Sequence, residues 1–362
     1  MRPRDMGRRL LAGLVSVLLV AGCAASASPS PGATVAATTS LPAAMPTVAP
    51  TVAATPAVQA TPIPTIGQPA DDGARIVGVA TNPTDFPSSS ARTKDITIDS
   101  PSVGTVIVRL LIPTQFDAQP STRWPVLYLL ADSQGDYRTW TDETNVATLT
   151  APTNLLVAMP GIGGNGWYSD WWNGGQGGEP KWETFDLVEL PQLLERNWHA
   201  GTTCAIAGAS MGGFGAMSYA ARHPGMFRAA ASYSGVLDPL GGHAYLSSDI
   251  NPNVWGDPVA QAAVWKAYDP TDIAAALKGT KLFVSYGNGE LGPLDNGSPS
   301  DLDPNGSTEH ELGHESQTFV QRLAALKIPV TVDAYGNGTH SYAYFGRELQ
   351  RSLPLILKAL GQ

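Results

Sequence analysis

Residues 203–222 read TCAIAGASMGGFGAMSYAAR: an apolar run, the pentapeptide GASMG at 208–212, then small and apolar residues at helical spacing. A GxSxG pentapeptide between a strand and a helix predicts a sharp turn that pushes a serine, here Ser210, out at the end of a sheet. The turn is so tight that side chains two residues either side of the serine would collide, so glycine is required at both places. The helix that follows aims backbone N–H groups at a developing oxyanion. A glycine-rich turn with an incidental serine is the plain alternative, and the flanking strand and helix patterns weigh against it.

Outward from this elbow the chain alternates in an ordered way. KDITIDS and GTVIVRLLI alternate as a hairpin does, and WPVLYLLAD, TNLLVAMPG, FRAAASYSG, KLFVSYGNG and PVTVDAYG are short apolar runs bounded by Gly, Pro or Asp. Between them WETFDLVELPQLLERNW, GFGAMSYAARH, QTFVQRLAALK and FGRELQRSLPLILKAL place apolar residues three and four apart. Strands alternating with helices predict an α/β fold: a largely parallel central sheet flanked by helices, with an antiparallel start. Sites in such sheets gather at the carboxyl ends of strands, where Ser210 falls.

A serine nucleophile needs a base, and the chain has six histidines. His340, in AYGNGTHSYAYF, follows the last predicted strand and precedes the last helix, which is where a GxSxG hydrolase carries its base. His199, His223 and His243 fall at helix ends or loops and read as surface or capping residues.

The amino terminus reads as an address. Arg2, Arg4, Arg8 and Arg9 precede an apolar stretch, Leu10 to Val20, too short to span a bilayer, and residues 19–23 read LVAGC. That string resembles a lipoprotein cleavage box. It predicts a signal peptide over 1–22 and a lipidated Cys23 that attaches the chain to a membrane; an ordinary signal peptide is the alternative. Residues 24–70 contain no Asp, Glu, Lys or Arg and are rich in Pro, Ala and Thr. Such a segment buries too little apolar surface to offset its ordering entropy, so 23–72 is expected to be a disordered linker, with 73–362 one catalytic domain. The formal net charge is −9, which argues against a nucleic-acid partner. Cys23 and Cys204 are the only cysteines. Acylation of Cys23 would leave no intrachain disulfide, and Cys204 reads as a small buried hydrophobe.

MPGIGGNGWYSDWWNGG, PKWETFDLVELPQLL, AIAGASMGGFGAMSYAARHP, YSGVLDP, VWGDP, KLFVSYGNG and GNGTHSYAYF, in this order from about residue 95 to the carboxyl terminus, resemble the esterase D/antigen 85 (mycolyltransferase) family of α/β-hydrolases. The resemblance implies Ser210 as nucleophile, His340 as base and, by pairing QTFVQRL with the helix that follows the family's acid, Glu309 as the third member. Glu290, directly after KLFVSYGNG, is the runner-up; Glu311 and Glu315 stay open. It also implies an oxyanion hole from the backbone N–H groups of Met211 and Ser133. The loop ADSQGDYRTW departs from the Asp and Arg that hold an acceptor sugar in mycolyltransferases, so ester hydrolysis is expected ahead of acyl transfer to a sugar.

One rival motif needs weighing. His310 to His314 spell HELGH, an HExxH that on a helix puts two imidazoles one turn apart on a zinc ion with Glu311 as general base. The metzincin extension is missing, no Glu follows Glu315 before Gly336, and Gly313 with Asp303, Pro304, Asn305 and Gly306 upstream suggests a loop entering a helix. The residues therefore imply no cofactor and no metal. The expected function is a membrane-tethered, exported serine esterase acting on small-molecule, glycan or lipid esters. A zinc hydrolase or a non-catalytic surface binding protein are the other classes. Trp167, Tyr168, Trp171 and Trp172 read equally as cleft lining or as packing, and 236–272 is long enough to form a lid.

Overall fold

The computed structural model describes residues 65–81, 91–162, 165–241 and 250–362, which belong to one unit spanning Thr61–Gln362. The expected leader, Cys23, residues 23–64 of the expected linker, His243 and the middle of the 236–272 connection lie outside the described residues. The boundary expected at residue 73 moves upstream. The Ile66 N–H donates to Ile76 O, Gln68 N–H to Asn197 Oδ1, and Asp71 pairs with Arg196 at 2.5 Å. Backbone groups that find partners on the domain belong to it, even in a stretch whose composition reads as linker.

Nine strands form one sheet in the order β1-β2-β3-β5-β4-β6-β7-β8-β9 among the described residues. β1 (Arg75–Thr81), β2 (Thr93–Ser100) and β3 (Gly104–Leu111) are antiparallel, and β3 meets β5 (Leu156–Pro160) antiparallel. From β5 onward β4 (Trp124–Leu130), β6 (Ala200–Ala209), β7 (Phe227–Tyr233), β8 (Lys281–Gly287) and β9 (Val330–Gly336) run parallel.

Alternation along the strands divides the interior into two layers. Val126, Tyr128 and Leu130 of β4 face one core, with Ile206 and Val284; Leu127 and Leu129 face the other, with Ala205, Ala207 and Phe283. The period of two in side-chain direction makes this unavoidable, and both faces must be covered. The cover comes from α1 (Thr139–Glu143), α2 (Val146–Thr150), α3 (Trp182–Thr184), α4 (Leu190–Asn197), α5 (Met211–Arg222), α6 (Pro252–Trp255), α7 (Ala262–Tyr268), α8 (Ser307–Ala325) and α9 (Tyr342–Ala359). The segment between α3 and α4, Phe185–Glu189, is wound as a π-helix.

In the 236–272 connection, Val236, Leu237, Trp255 and Trp265 are buried. Trp255 lies 5.4 Å from Trp167 and 5.2 Å from Phe214, ring centre to ring centre, so this part is packed on α5. Trp167 and Tyr168 are buried too and serve the packing reading; Trp171 and Trp172 are half-buried. Cys204 is buried and unpaired, and burial pushes its thiol up to about 12.

Candidate active site

Ser210 sits between β6 and α5 with φ 55° and ψ −121°, a backbone conformation that costs energy for a non-glycine residue. The surroundings hold it there: Ser210 N–H donates to Tyr233 O at 3.0 Å, and Ser210 O accepts Phe214 N–H at 3.1 Å. The glycine requirement has a concrete cause. A Cβ on Gly208 would lie 2.2 Å from Gly212 O, and one on Gly212 would lie 2.5 Å from Leu130 O. Met211 is the first residue of α5, so its N–H has no acceptor within the helix.

His340 lies in the turn between β9 and α9, 3 % exposed. Its Nδ1 is 2.8 Å from Glu309 Oε2; because a carboxylate only accepts, Nδ1–H donates, leaving Nε2 as the nitrogen free for proton transfer. Nε2 is buried and has no hydrogen-bond partner among the described residues. Catalytic contacts in an unliganded site often tighten only when substrate binds. Ser300 Oγ donates to His340 O at 2.6 Å, and the Phe345 ring stands 4.9 Å from the imidazole at a steep angle.

Glu309 is fully buried in the first turn of α8. Its Oε1 accepts three hydrogen bonds, from Ser234 Oγ at 2.8 Å, Gly287 N–H at 2.5 Å and Tyr335 Oη at 2.8 Å. Burial pushes this carboxyl up, but the hydrogen bond and charge of His340 together with Gly287 and Ser234 outweigh it and hold it below the usual range. Asp303 fixes the turn, its carboxylate accepting Thr308 and Glu309 N–H. The structure thus brings Glu309 to His340. Glu290 is exposed beyond β8, and Glu315 is buried elsewhere, accepting Asp238 N–H at 3.1 Å.

The loop after β4 carries Ser133, which is half-buried. Its neighbours are clamped. Tyr168 Oη donates to Ala131 O at 2.8 Å, Trp140 Nε1 donates to Leu130 O at 3.0 Å, and Tyr342 Oη donates to Asp132 Oδ1 at 2.8 Å. Tyr342 is two residues after His340, so one hydroxyl ties the Ser133 loop to the His340 turn. Sequence reasoning missed Tyr342, Ser234 and Tyr335. The last two lie in the quoted YSG and AYG strings, but nothing in their spacing shows that they converge on Glu309.

Residues 303–306 are the loop that enters α8, and HELGH lies within the helix, which starts at Ser307; Gly313 sits inside it, at a position where a Cβ would approach Gly287 O to 2.7 Å. His310 and His314 are exposed, on a face of α8 away from Glu309. Among the described residues no group of three or more His, Cys, Asp and Glu side chains converges as a metal site would.

Comparison with known proteins agrees with the geometry. Residues 103–356 match the sequence family described as "Putative esterase". The chain belongs to that esterase family. It is 33 % identical over 246 residues to the diacylglycerol acyltransferase/mycolyltransferase Ag85B of Mycolicibacterium smegmatis, covering 63 % of this chain and 74 % of that protein. It is 32 % identical over 298 residues to the corresponding Ag85A of Mycobacterium tuberculosis, covering 73 % and 80 %. The fold superposes on MPT51 of Mycobacterium tuberculosis with a TM-score of 0.64 at 24 % identity, covering 75 % of this chain and 100 % of that one. An S-formylglutathione hydrolase from Agrobacterium tumefaciens gives 0.62 at 17 % identity, covering 79 % and 99 %. The antigen 85 resemblance of the sequence and the α/β-hydrolase fold both hold, and the family member is an ester-hydrolysing or acyl-transferring enzyme.

Proposed function

We propose that the protein is an exported, membrane-tethered serine esterase whose triad is Ser210, His340 and Glu309. The observation that carries the reading is the 2.8 Å contact of His340 Nδ1 with a fully buried Glu309, in the same fold that strains Ser210 at its elbow. His340 Nε2 takes the Ser210 proton as Oγ attacks the ester carbonyl, and the ionised Glu309 orients the ring and stabilises the imidazolium without taking its proton. The N–H groups of Met211 and Ser133 hold the oxyanion, which collapses to an acyl-enzyme as His340 protonates the leaving alcohol. Water, activated by His340, then releases the acid. No cofactor enters these steps.

Transfer to an alcohol is the second reading, and two observations favour keeping it. The relatives at 32–33 % identity are named as acyltransferases. A cavity of about 610 Å³, lined by Asp132, Gln134, Glu143, Asp301, Ser341 and Tyr342 among others, adjoins the His340 turn and the Ser133 loop and offers room for a polar acceptor. Both carboxylate oxygens of Asp132, however, already accept hydrogen bonds, from Tyr342 and from Gln134 N–H. Its acidic lining without a cation disfavours anionic alcohols. A chain-length series of p-nitrophenyl esters, with and without a sugar acceptor, separates the two. Turnover that Ser210→Ala abolishes supports the esterase, and acylated sugar at the expense of free acid supports transfer; no turnover of any ester would leave the non-catalytic reading.

Export and tethering rest on the LVAGC string and the uncharged linker. Cys23→Ser should release the protein from membranes or leave it unprocessed, because the linker offers lipid no electrostatic hold. A mature terminus elsewhere, by mass spectrometry, would contradict lipidation.

A further inference from the structure

HELGH is not used by the acyl-transfer chemistry, yet two of its residues form an arrangement with a chemistry of its own. His310 and His314 stand one turn apart on the exposed face of α8, and their Nε2 atoms are 3.3 Å from each other. The ring centroids are farther apart, 4.7 Å, at an interplanar angle of 85°, so it is the Nε2 edges that converge. Two imidazole nitrogens that each sit about 2.0–2.1 Å from one tetrahedral zinc ion must lie a little over 3 Å from each other. The pair is already at that separation.

The tautomer is fixed on one side. His310 Nδ1 lies 3.3 Å from the backbone O of Asn288, which only accepts, so Nδ1 carries the hydrogen and the neutral ring keeps its Nε2 lone pair outward. A backbone carbonyl behind the distal nitrogen is how metal-binding histidines are commonly oriented. Without metal, His314 Nε2–H donates to His310 Nε2; with metal, that hydrogen moves to His314 Nδ1 through solvent and both Nε2 lone pairs face the ion, with no net proton change for the neutral pair. Both rings are exposed, so ions have an entry path.

We infer that His310 and His314 form a two-histidine chelate for a divalent transition-metal ion, completed by water and separate from the catalytic site. Cu²⁺ should bind tighter than Ni²⁺ or Zn²⁺, following the general order for nitrogen ligands. The site resembles a zinc protease only in its letters: the two ligands are there, the third is not.

The test is calorimetric titration of the full chain, in detergent, with NiCl₂, ZnCl₂ and CuSO₄. One ion per chain is expected. His310→Ala and His314→Ala should each weaken it by about tenfold or more, because each leaves a single imidazole, and the double variant should take up no ion at this site. His223→Ala, at a histidine engaged with Glu183, is the control and should bind as wild type does. Electron paramagnetic resonance of the Cu²⁺ form should show two nitrogen ligands. Ester turnover should be unchanged by chelator and by either His variant. Uptake that survives the double variant, a Cu²⁺ signal with fewer than two nitrogens, or no uptake up to millimolar metal would overturn the site; chelator-sensitive turnover restored by Zn²⁺ would overturn its separation from catalysis.

Discussion

Glu309 and His310 are consecutive residues on one helix, and they live in different solvents. Glu309 has no exposure, four hydrogen bonds and a carboxyl held below its usual range, with His340 and the end of β8 as its neighbours. His310 is exposed, with one contact to a carbonyl and one to His314. A turn of about 100° per residue carries the chain from the sheet-facing side of α8 to its solvent side. The same five-letter neighbourhood therefore supplies a group able to hold a charge beside a base and, next to it, groups able only to meet ions from solution. Motif letters do not carry chemistry until burial and partners are known.

The comparison breaks most sharply at Glu309. Glu309→Gln should lower kcat by roughly a hundredfold or more, because an amide neither stabilises the imidazolium nor enforces the tautomer. Glu290→Gln, on an exposed residue, should leave it unchanged. If steady-state kinetics show the reverse, the acid has been placed wrongly while Ser210 and the fold stand.

A smaller effect is expected from Tyr335→Phe, which removes one of three hydrogen bonds to Glu309 Oε1. A hydrogen bond to a charged group is worth about 1.5 kcal/mol or more, so kcat should fall by about tenfold or more. An unchanged kcat in steady-state assays would show that Ser234 and Gly287 suffice.

Glu315, six residues further along α8 and also buried, sharpens the contrast because its shift has the opposite sign. Burial raises it from 4.5 to about 8. A raised acid costs stability as it ionises, so the fold weakens as pH climbs from about 4.5 to about 8. Glu309, being lowered, contributes stability above the ordinary carboxylate range and loses it as pH falls through its folded value. Glu315→Gln should therefore gain in Tm on the parent chain between pH 5 and 8 and level off above; a gap independent of pH would contradict the assignment. On the exposed side, His310→Ala and His314→Ala should change neither turnover nor Tm in metal-free buffer, the smallest effect of the set.

The antiparallel start, the parallel remainder and the elbow were legible because they obey local rules: alternation along 93–111, apolar runs ending in Gly or Asp, and glycines two residues from Ser210, each of which a Cβ would drive into backbone. β1 was not read, since its alternation in RIVGVAT is broken by a bulge between Ile76 and Gly78. The start of the domain was misjudged because Gln68 and Asp71 are bonded to α4, 121 to 129 residues away, and composition carries no trace of a partner that distant. His340 was readable from its place after β9. Glu309 came from a resemblance, and what sets it apart from Glu290, Glu311 and Glu315 is helical phase plus the convergence of Ser234, Gly287 and Tyr335. No spacing encodes that. Tyr342 was likewise invisible: its task, tying Asp132 to the His340 turn across 210 residues, exists only once the sheet has formed.

The central claim is that Ser210 becomes covalently acylated. Mixing the enzyme with a slowly deacylating p-nitrophenyl ester, quenching in acid and measuring intact mass should show one added acyl group, and peptide mapping should place it on Ser210. Glu309→Gln should accumulate it more slowly, and Ser210→Ala should show none. An acyl group on another residue, or ester turnover by Ser210→Ala at close to the parent rate, would contradict the account.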